Sequence, residues 1–161
     1  MNYFICGFTG SGKTYLLKQL ENAFILPEYK FIDLDQLIDQ EHAEKYHSLG
    51  HLIEDIGFEA FRELEFQKIG ELTQEKNIFL SLGGGALNHL TMDLLESGSW
   101  RGFWLNTDFE LCRERIKNDE NRPLSRLSAR ELRELYNERL TYYHQFQEVN
   151  SMDDVLRVLK D

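Results

Sequence analysis

Apolar positions along the chain follow two alternating spacings. Short unbroken apolar runs, which suit a strand buried on both faces, cover Tyr3 to Cys6, Tyr29 to Ile32, Asn77 to Leu82 and Trp100 to Leu105. Between them apolar residues recur every three or four positions, the spacing of a helix with one buried face. Tyr15, Leu16, Leu17, Leu20 and Phe24 mark a helix from Lys13 to Phe24, closed by Pro27. Leu37 and Ile38 mark the buried side of another from Gln36 onward. A longer one covers Leu49 to Gln74, kinked at Gly57, with an inner stripe of Phe58, Phe61, Leu64, Ile69 and Leu72.

Helix starts carry their own signals. Thr107-Asp108-Phe109-Glu110 and Ser128-Ala129-Arg130-Glu131 have the form of capping boxes, in which a hydroxyl and an acid three residues on satisfy the first free backbone donors. The second opens a long helix to about Gln147, and Ser151 starts a short last one. Lys117 to Leu127 is polar, contains Pro123 and reads as a mobile loop. Strands alternating with helices predict a three-layer α/β/α fold with a central parallel sheet of about five strands. With no repeat or linker, residues 1–161 form one domain.

In parallel sheets ligands gather beyond the carboxyl ends of the strands. Three of those ends carry candidate chemistry. Gly7-Phe8-Thr9-Gly10-Ser11-Gly12-Lys13-Thr14 matches G-x-x-x-x-G-K-[ST] between a strand and a helix. Its glycines let several N–H groups face one point, and the helix end adds partial positive charge. Lys13 then reaches the β- and γ-phosphates of ATP, and the Thr14 hydroxyl is a hard oxygen ligand for Mg²⁺. Asp33 and Asp35 lie two apart, so on extended chain they point the same way. One could hold Mg²⁺ through water while the other accepts from a substrate hydroxyl; equally, one could be a helix N-cap. Gly83-Gly84-Gly85 either lets a substrate lie on bare amides or makes a tight strand-to-helix turn. Arg62 and Glu65 share a helical face, as a surface ion pair would, and Arg139 lies on the late helix near Tyr142 and Tyr143.

Composition narrows the partners. A net charge of −10 disfavours nucleic acid, which wants a basic face, yet allows a few arginines focused in a cleft to hold a small anion. Two cysteines make no disulfide framework, and neither they nor the five histidines have metal-ligand spacing. The first residues hold no basic segment and no long apolar run, which predicts no secretory signal, no membrane span and a cytoplasmic location.

Taken in order, these segments resemble the shikimate kinase family, within the nucleoside-monophosphate-kinase-like group of P-loop folds. The phosphate loop, Phe31-Ile32-Asp33-Leu34-Asp35 and the Gly57 to Glu65 stretch with its Phe61-Arg62 pair all fit. So do Ser81-Leu82-Gly83-Gly84-Gly85-Ala86, the lid-like Arg122-Pro123-Leu124 and Arg139 followed by Tyr143. The resemblance implies ATP-dependent phosphorylation of shikimate to 3-phosphoshikimate, in the route to aromatic amino acids. It implies a nucleotide site at Gly10, Ser11, Gly12, Lys13, Thr14 and Tyr15, with Arg115 stacked on adenine and Arg122 joining Lys13 at the transferring phosphoryl group. Asp33 would help Thr14 place Mg²⁺. Asp35 would bind shikimate hydroxyls and orient or deprotonate the attacking one. Arg62 and Arg139 would clamp the shikimate carboxylate, Gly83, Gly84 and Gly85 would contact the ring, and Glu65 would orient an arginine or the ring-side hydrogen bonds. The lid would span about 117–127 and the substrate-binding helical part about 35–65. The partners implied are shikimate and ATP, with no nucleic acid, no membrane and a monomeric chain.

Two departures from the family pattern concern the nucleotide side. Tyr15 stands where a small or hydroxylated residue is usual. Phe146 to Ser151 must serve as both last strand and adenine-side turn, without the usual proline. Two rival expectations remain: another small-molecule kinase of the same fold, such as a gluconate kinase, or a non-catalytic module that kept the fold.

Overall fold

The computed structural model describes residues 1–161. Five parallel strands, β1 (Asn2–Cys6), β2 (Lys30–Asp33), β3 (Ile78–Ser81), β4 (Trp100–Leu105) and β5 (Gln147–Val149), run in the order β2-β3-β1-β4-β5. The helices are α1 (Lys13–Asn22), α2 (Leu34–Glu41), α3 (Leu49–Leu72), α4 (His89–Ser97), α5 (Phe109–Lys117), α6 (Ala129–Tyr143) and α7 (Met152–Lys160). None is long and apolar enough to cross a membrane.

The unbroken apolar runs are central strands because both sheet faces are covered. Successive side chains point to opposite faces. Phe4 and Cys6 of β1, with Ile78 and Leu80 of β3, therefore enter one core, closed by α2 to α6. Ile5, Phe79 and Phe103 enter the other, closed by Leu16, Leu17 and Leu20 of α1 and Val155 of α7. The fifth strand comes from Gln147 to Val149, beside β4, and is the shortest of the sheet.

Several boundaries differ from expectation. Helix α1 stops at Asn22; Phe24 is 81% exposed at φ 52°, so its place in the apolar spacing is fortuitous. Tyr15 is likewise 69% exposed, and the buried stripe is Leu16, Leu17 and Leu20. Helix α2 begins at Leu34, because Asp33 caps it by accepting from the Gln36 N–H. Asp35 thus lies in a helical first turn and not on extended chain, so the strand argument for the aspartate pair fails although the residues stay close. Gly57 does break α3, at φ 84°, a backbone state that disfavours a side chain. Phe58 beside it is 45% exposed, while buried Glu65 takes a place in the inner stripe.

Helix α4 had no counterpart among the expected elements. The Asn88 side chain accepts from the Leu90 and Thr91 N–H groups, and the Thr91 hydroxyl accepts from the Asn88 N–H. Helix α5 has no capping box: Asp108 caps it, and the Thr107 hydroxyl donates to the Ser11 carbonyl at 2.7 Å. The Ser128–Glu131 capping box is present, but α6 ends at Tyr143 so that the chain can turn into β5. Within 117–127, Pro123–Arg126 form a 3-10 turn. It is docked on the start of α3, with Arg126 paired to Glu54 and the Asn121 carbonyl 2.6 Å from where a Cβ on Gly50 would lie.

Candidate active site

The loop after β1 is built from glycines that cannot be replaced without strain. Gly10 and Gly12 sit at φ 80° and 97°, and a Cβ on Gly10 would lie 2.9 Å from the Cys112 carbonyl oxygen. Gly12 caps α1 with no side-chain acceptor, which leaves the first helical N–H groups to an anion. Lys13 is folded under the loop. Its Nζ donates to the carbonyls of Gly7 at 2.7 Å and Phe8 at 2.9 Å, and to Ser11 Oγ at 3.4 Å. Burial lowers its pKa to about 8, against the pull of the Asp35 carboxylate.

The Thr14 hydroxyl donates to Asp33 Oδ2 at 2.5 Å, so a hydroxyl and a carboxylate meet at the mouth of the loop. Asp35 points the other way, toward the glycine triplet. A Cβ on Gly83 would lie 2.7 Å from Asp35 Oδ1 and 2.9 Å from Glu65 Oε2, so only glycine admits both acids. Burial, and then the Asp33 charge, raise the Asp35 pKa; Lys13, Arg62 and Arg122 oppose that rise. One carboxylate therefore faces cations from three segments.

Arg62 and Glu65 do form an ion pair, but an internal one. Arg62 Nη1 donates to Glu65 Oε1, and Glu65 is 1% exposed. Burial pushes the Glu65 pKa up to about 7 in spite of Arg62. Arg139 comes from α6 to the same place, with its guanidinium 5.5 Å from the centre of the Phe8 ring. A Cβ on Gly85 would overlap Arg62 Nη2 and come within 2.6 Å of Arg139 Nη2. The two guanidinium groups thus converge over one bare backbone position. Arg139 is accordingly not on a solvated helix face: its Nη1 is buried and has no hydrogen-bond partner.

A cleft of about 760 Å³ runs along the carboxyl ends of the strands. The phosphate-loop residues Gly10 to Tyr15 line it, as do Asp33, Asp35, Gly84, Arg115 and Arg122. Arg62, Arg139, Gly83 and Gly85 lie outside it, and connect to it through Asp35 and Gly84. Arg115 Nη1 donates to the Gly10 carbonyl at 2.9 Å, and Arg122 Nε donates to Asp119 Oδ2 at 2.7 Å. Sequence reasoning missed two supports. Thr107 braces the loop through Ser11, and the Tyr143 hydroxyl donates to the Gly84 carbonyl at 2.8 Å. Spacing marks Thr107 only as a helix cap and Tyr143 only as a neighbour of Arg139, because each acts on a partner far away in the chain.

The arrangement joins an anion seat, a carboxylate and a pair of converging guanidinium groups, in that order. It can hold a polyphosphate at one end and a small anion at the other, with a proton acceptor between them.

Comparison with known proteins bears on what that combination serves. Residues 9–157 match the family model described as "Shikimate kinase". The chain is 33% identical over 146 residues to a shikimate kinase of Persephonella marina, covering 89% of this chain and 84% of that one. Its fold is similar to that of the shikimate kinase of Acinetobacter baumannii solved in complex with shikimate. There the TM-score is 0.83 at 25% identity, over 99% of this chain and 90% of the other. A gluconokinase from Sinorhizobium meliloti shares the fold alone, with a TM-score of 0.54 at 20% identity over 85% of this chain and 73% of that one.

Proposed function

The chain belongs to the shikimate kinase family, and from that premise we propose that it transfers the γ-phosphoryl group of ATP to a ring hydroxyl of shikimate, giving 3-phosphoshikimate. The observation that carries this reading is the convergence of Arg62 and Arg139 over Gly85, across Asp35 from the phosphate loop. Two guanidinium groups suit a carboxylate, and the acid between them and the loop suits a hydroxyl.

The roles follow from position. The loop amides and Lys13 hold the β- and γ-phosphates, and Arg122 neutralises charge on the transferring group. Asp35 accepts a hydrogen bond from the attacking hydroxyl, orients it in line and takes its proton. Arg62 and Arg139 bind the substrate carboxylate, with Glu65 holding Arg62 in place. The ring lies on the backbone of Gly83, Gly84 and Gly85, where no side chain blocks its approach. Residues 117–127 act as a lid over the phosphates, and about 35–65 supply the acceptor-binding part. Closure excludes water, the competing phosphoryl acceptor.

The chain has no cluster of three or more acidic, histidine or cysteine side chains that could cage a metal ion. Mg²⁺ needs none: it binds through one or two protein oxygens together with waters and phosphate oxygens. The Thr14 hydroxyl and the Asp33 carboxylate, already in contact at the loop mouth, fit that demand. When bound, the ion neutralises charge on the β- and γ-phosphates.

ADP release, coupled to an optical readout, tests the proposal with Mg-ATP alone and with shikimate, gluconate or a nucleoside monophosphate added. Release that depends on shikimate alone is expected. Release with gluconate alone identifies a gluconate kinase, and no release with any acceptor despite measurable ATP binding identifies a binding module.

A further inference from the structure

Two of the large apolar side chains that folding leaves exposed face the same cleft: Tyr15 at 69% and Leu111 at 40%. Tyr15 cannot turn inward. It follows Thr14 in the first turn of α1, where the Leu16 N–H donates to the Gly12 carbonyl at 3.0 Å, and its neighbours Leu16 and Leu17 are locked in the core. Another wall is α5, whose Arg115 Nη1 would lie 3.6 Å from a Cβ on Gly12 of the loop. Leu111 and Arg115 are four apart there and share a face, and the bond from Arg115 to the Gly10 carbonyl ties the guanidinium to the loop. The polar residues Asn150 and Ser151 also line the cleft. Beyond the phosphate loop the cleft is thus bounded by an aromatic ring, a tethered guanidinium plane and an aliphatic side chain, with amide and hydroxyl groups in its lining. That chemistry fits a flat heteroaromatic base carried on a sugar.

We propose that Tyr15 is a specificity-determining residue: its ring forms the α1 wall of the nucleoside seat and covers the ribose and base of ATP, with Arg115 and Leu111 on the α5 wall. The inference rests on the nucleotide site proposed above and adds a division of labour within it. The loop amides and Lys13 hold phosphates whatever nucleoside they carry, whereas Tyr15 holds only the nucleoside.

Calorimetric titration without any acceptor tests this division, with Mg-ATP and Mg-tripolyphosphate as the two ligands. Tyr15→Ser is expected to weaken Mg-ATP binding about tenfold, the loss of one stacked face, and to leave tripolyphosphate affinity unchanged. Tyr15→Phe keeps the ring and is expected to bind Mg-ATP within about twofold of the parent. Unchanged Mg-ATP affinity in Tyr15→Ser overturns the proposal. So do equal losses for the two ligands, which place Tyr15 in the phosphate seat, and so does a Tyr15→Phe loss as large as that of Tyr15→Ser. Shikimate takes no part in the titration, so failure to phosphorylate it leaves this result standing.

Discussion

The phosphate loop and the acceptor side next to it are built in opposite ways. At the phosphate loop the cation is satisfied from within: Lys13 Nζ has three acceptors, all from the loop that it serves. At the acceptor end two arginines face one glycine, and the hydrogen bonding is incomplete. Three buried side-chain polar atoms in the molecule lack a partner, and two of them, Glu65 Oε2 and Arg139 Nη1, belong to this end. An unpaired buried polar group costs about 1–3 kcal/mol. The loop end therefore keeps its cation hydrogen-bonded from within, at the desolvation cost that lowers the Lys13 pKa to about 8. The acceptor end instead keeps buried polar atoms that no other protein group pairs, and the proposed substrate, with its carboxylate and hydroxyls, has the groups to pair them. On the proposed function, selectivity resides on the side where protein groups leave polar atoms unpaired.

Asp35 lies at the junction, so its removal tests the division most severely. Asp35→Asn keeps the shape and removes the proton acceptor. Phosphoryl transfer is expected to fall about 10³-fold, with Mg-ATP affinity held within about twofold. Paired turnover and titration measurements check this; a matching loss of ATP affinity would show the two ends to be one site. Arg139→Ala acts on the acceptor end alone. The KM for shikimate is expected to rise about 30- to 100-fold, the loss of a charge-assisted hydrogen-bonded contact, while the KM for ATP stays put. An unchanged shikimate KM would return Arg139 to a structural role beside Phe8.

The same contrast explains what the sequence reveals. The phosphate loop is contiguous, so eight adjacent letters specify both its shape and its chemistry. The acceptor end is assembled from α2, α3, the glycine triplet and α6, and each part has an ordinary reading by itself. A helical arginine with an acid three residues on looks like a surface pair, and only packing shows Glu65 to be buried. The glycine triplet is conspicuous, yet its reason is tertiary: Asp35 and Glu65 crowd Gly83, and two guanidinium groups crowd Gly85. Central strands were legible because burial on both faces leaves unbroken apolar runs. Helix α4 was missed because its cap is an asparagine in a polar turn and its apolar face is short. Tyr15 and Phe24 fit the helical spacing and yet lie in solvent, since a spacing rule cannot tell a core face from a cleft wall, where Tyr15 lies, or from the chain past a helix end, where Phe24 lies.

Glu65 offers the finest test, because it asks whether the acceptor end is truly unsatisfied. Burial raises its pKa from the ordinary 4.5 to about 7, with Arg62 and Arg139 pulling it down and Asp35 pushing it up. The unfolded chain releases this proton near pH 4.5, whereas the folded chain keeps it to about pH 7. Between those values the folded state binds more protons, so stability falls as pH rises, by up to about 1.4 kcal/mol per pH unit from this group. Below pH 4.5 and above about pH 7 the slope from Glu65 vanishes. Glu65→Gln carries no such proton. The stability of the parent relative to this variant, from urea unfolding, is therefore expected to decline steadily from pH 5 to pH 7. A flat difference would mean that Glu65 is ionised throughout and fully matched by Arg62. The acceptor end would then be as self-satisfied as the loop, and its selectivity would have to come from shape alone.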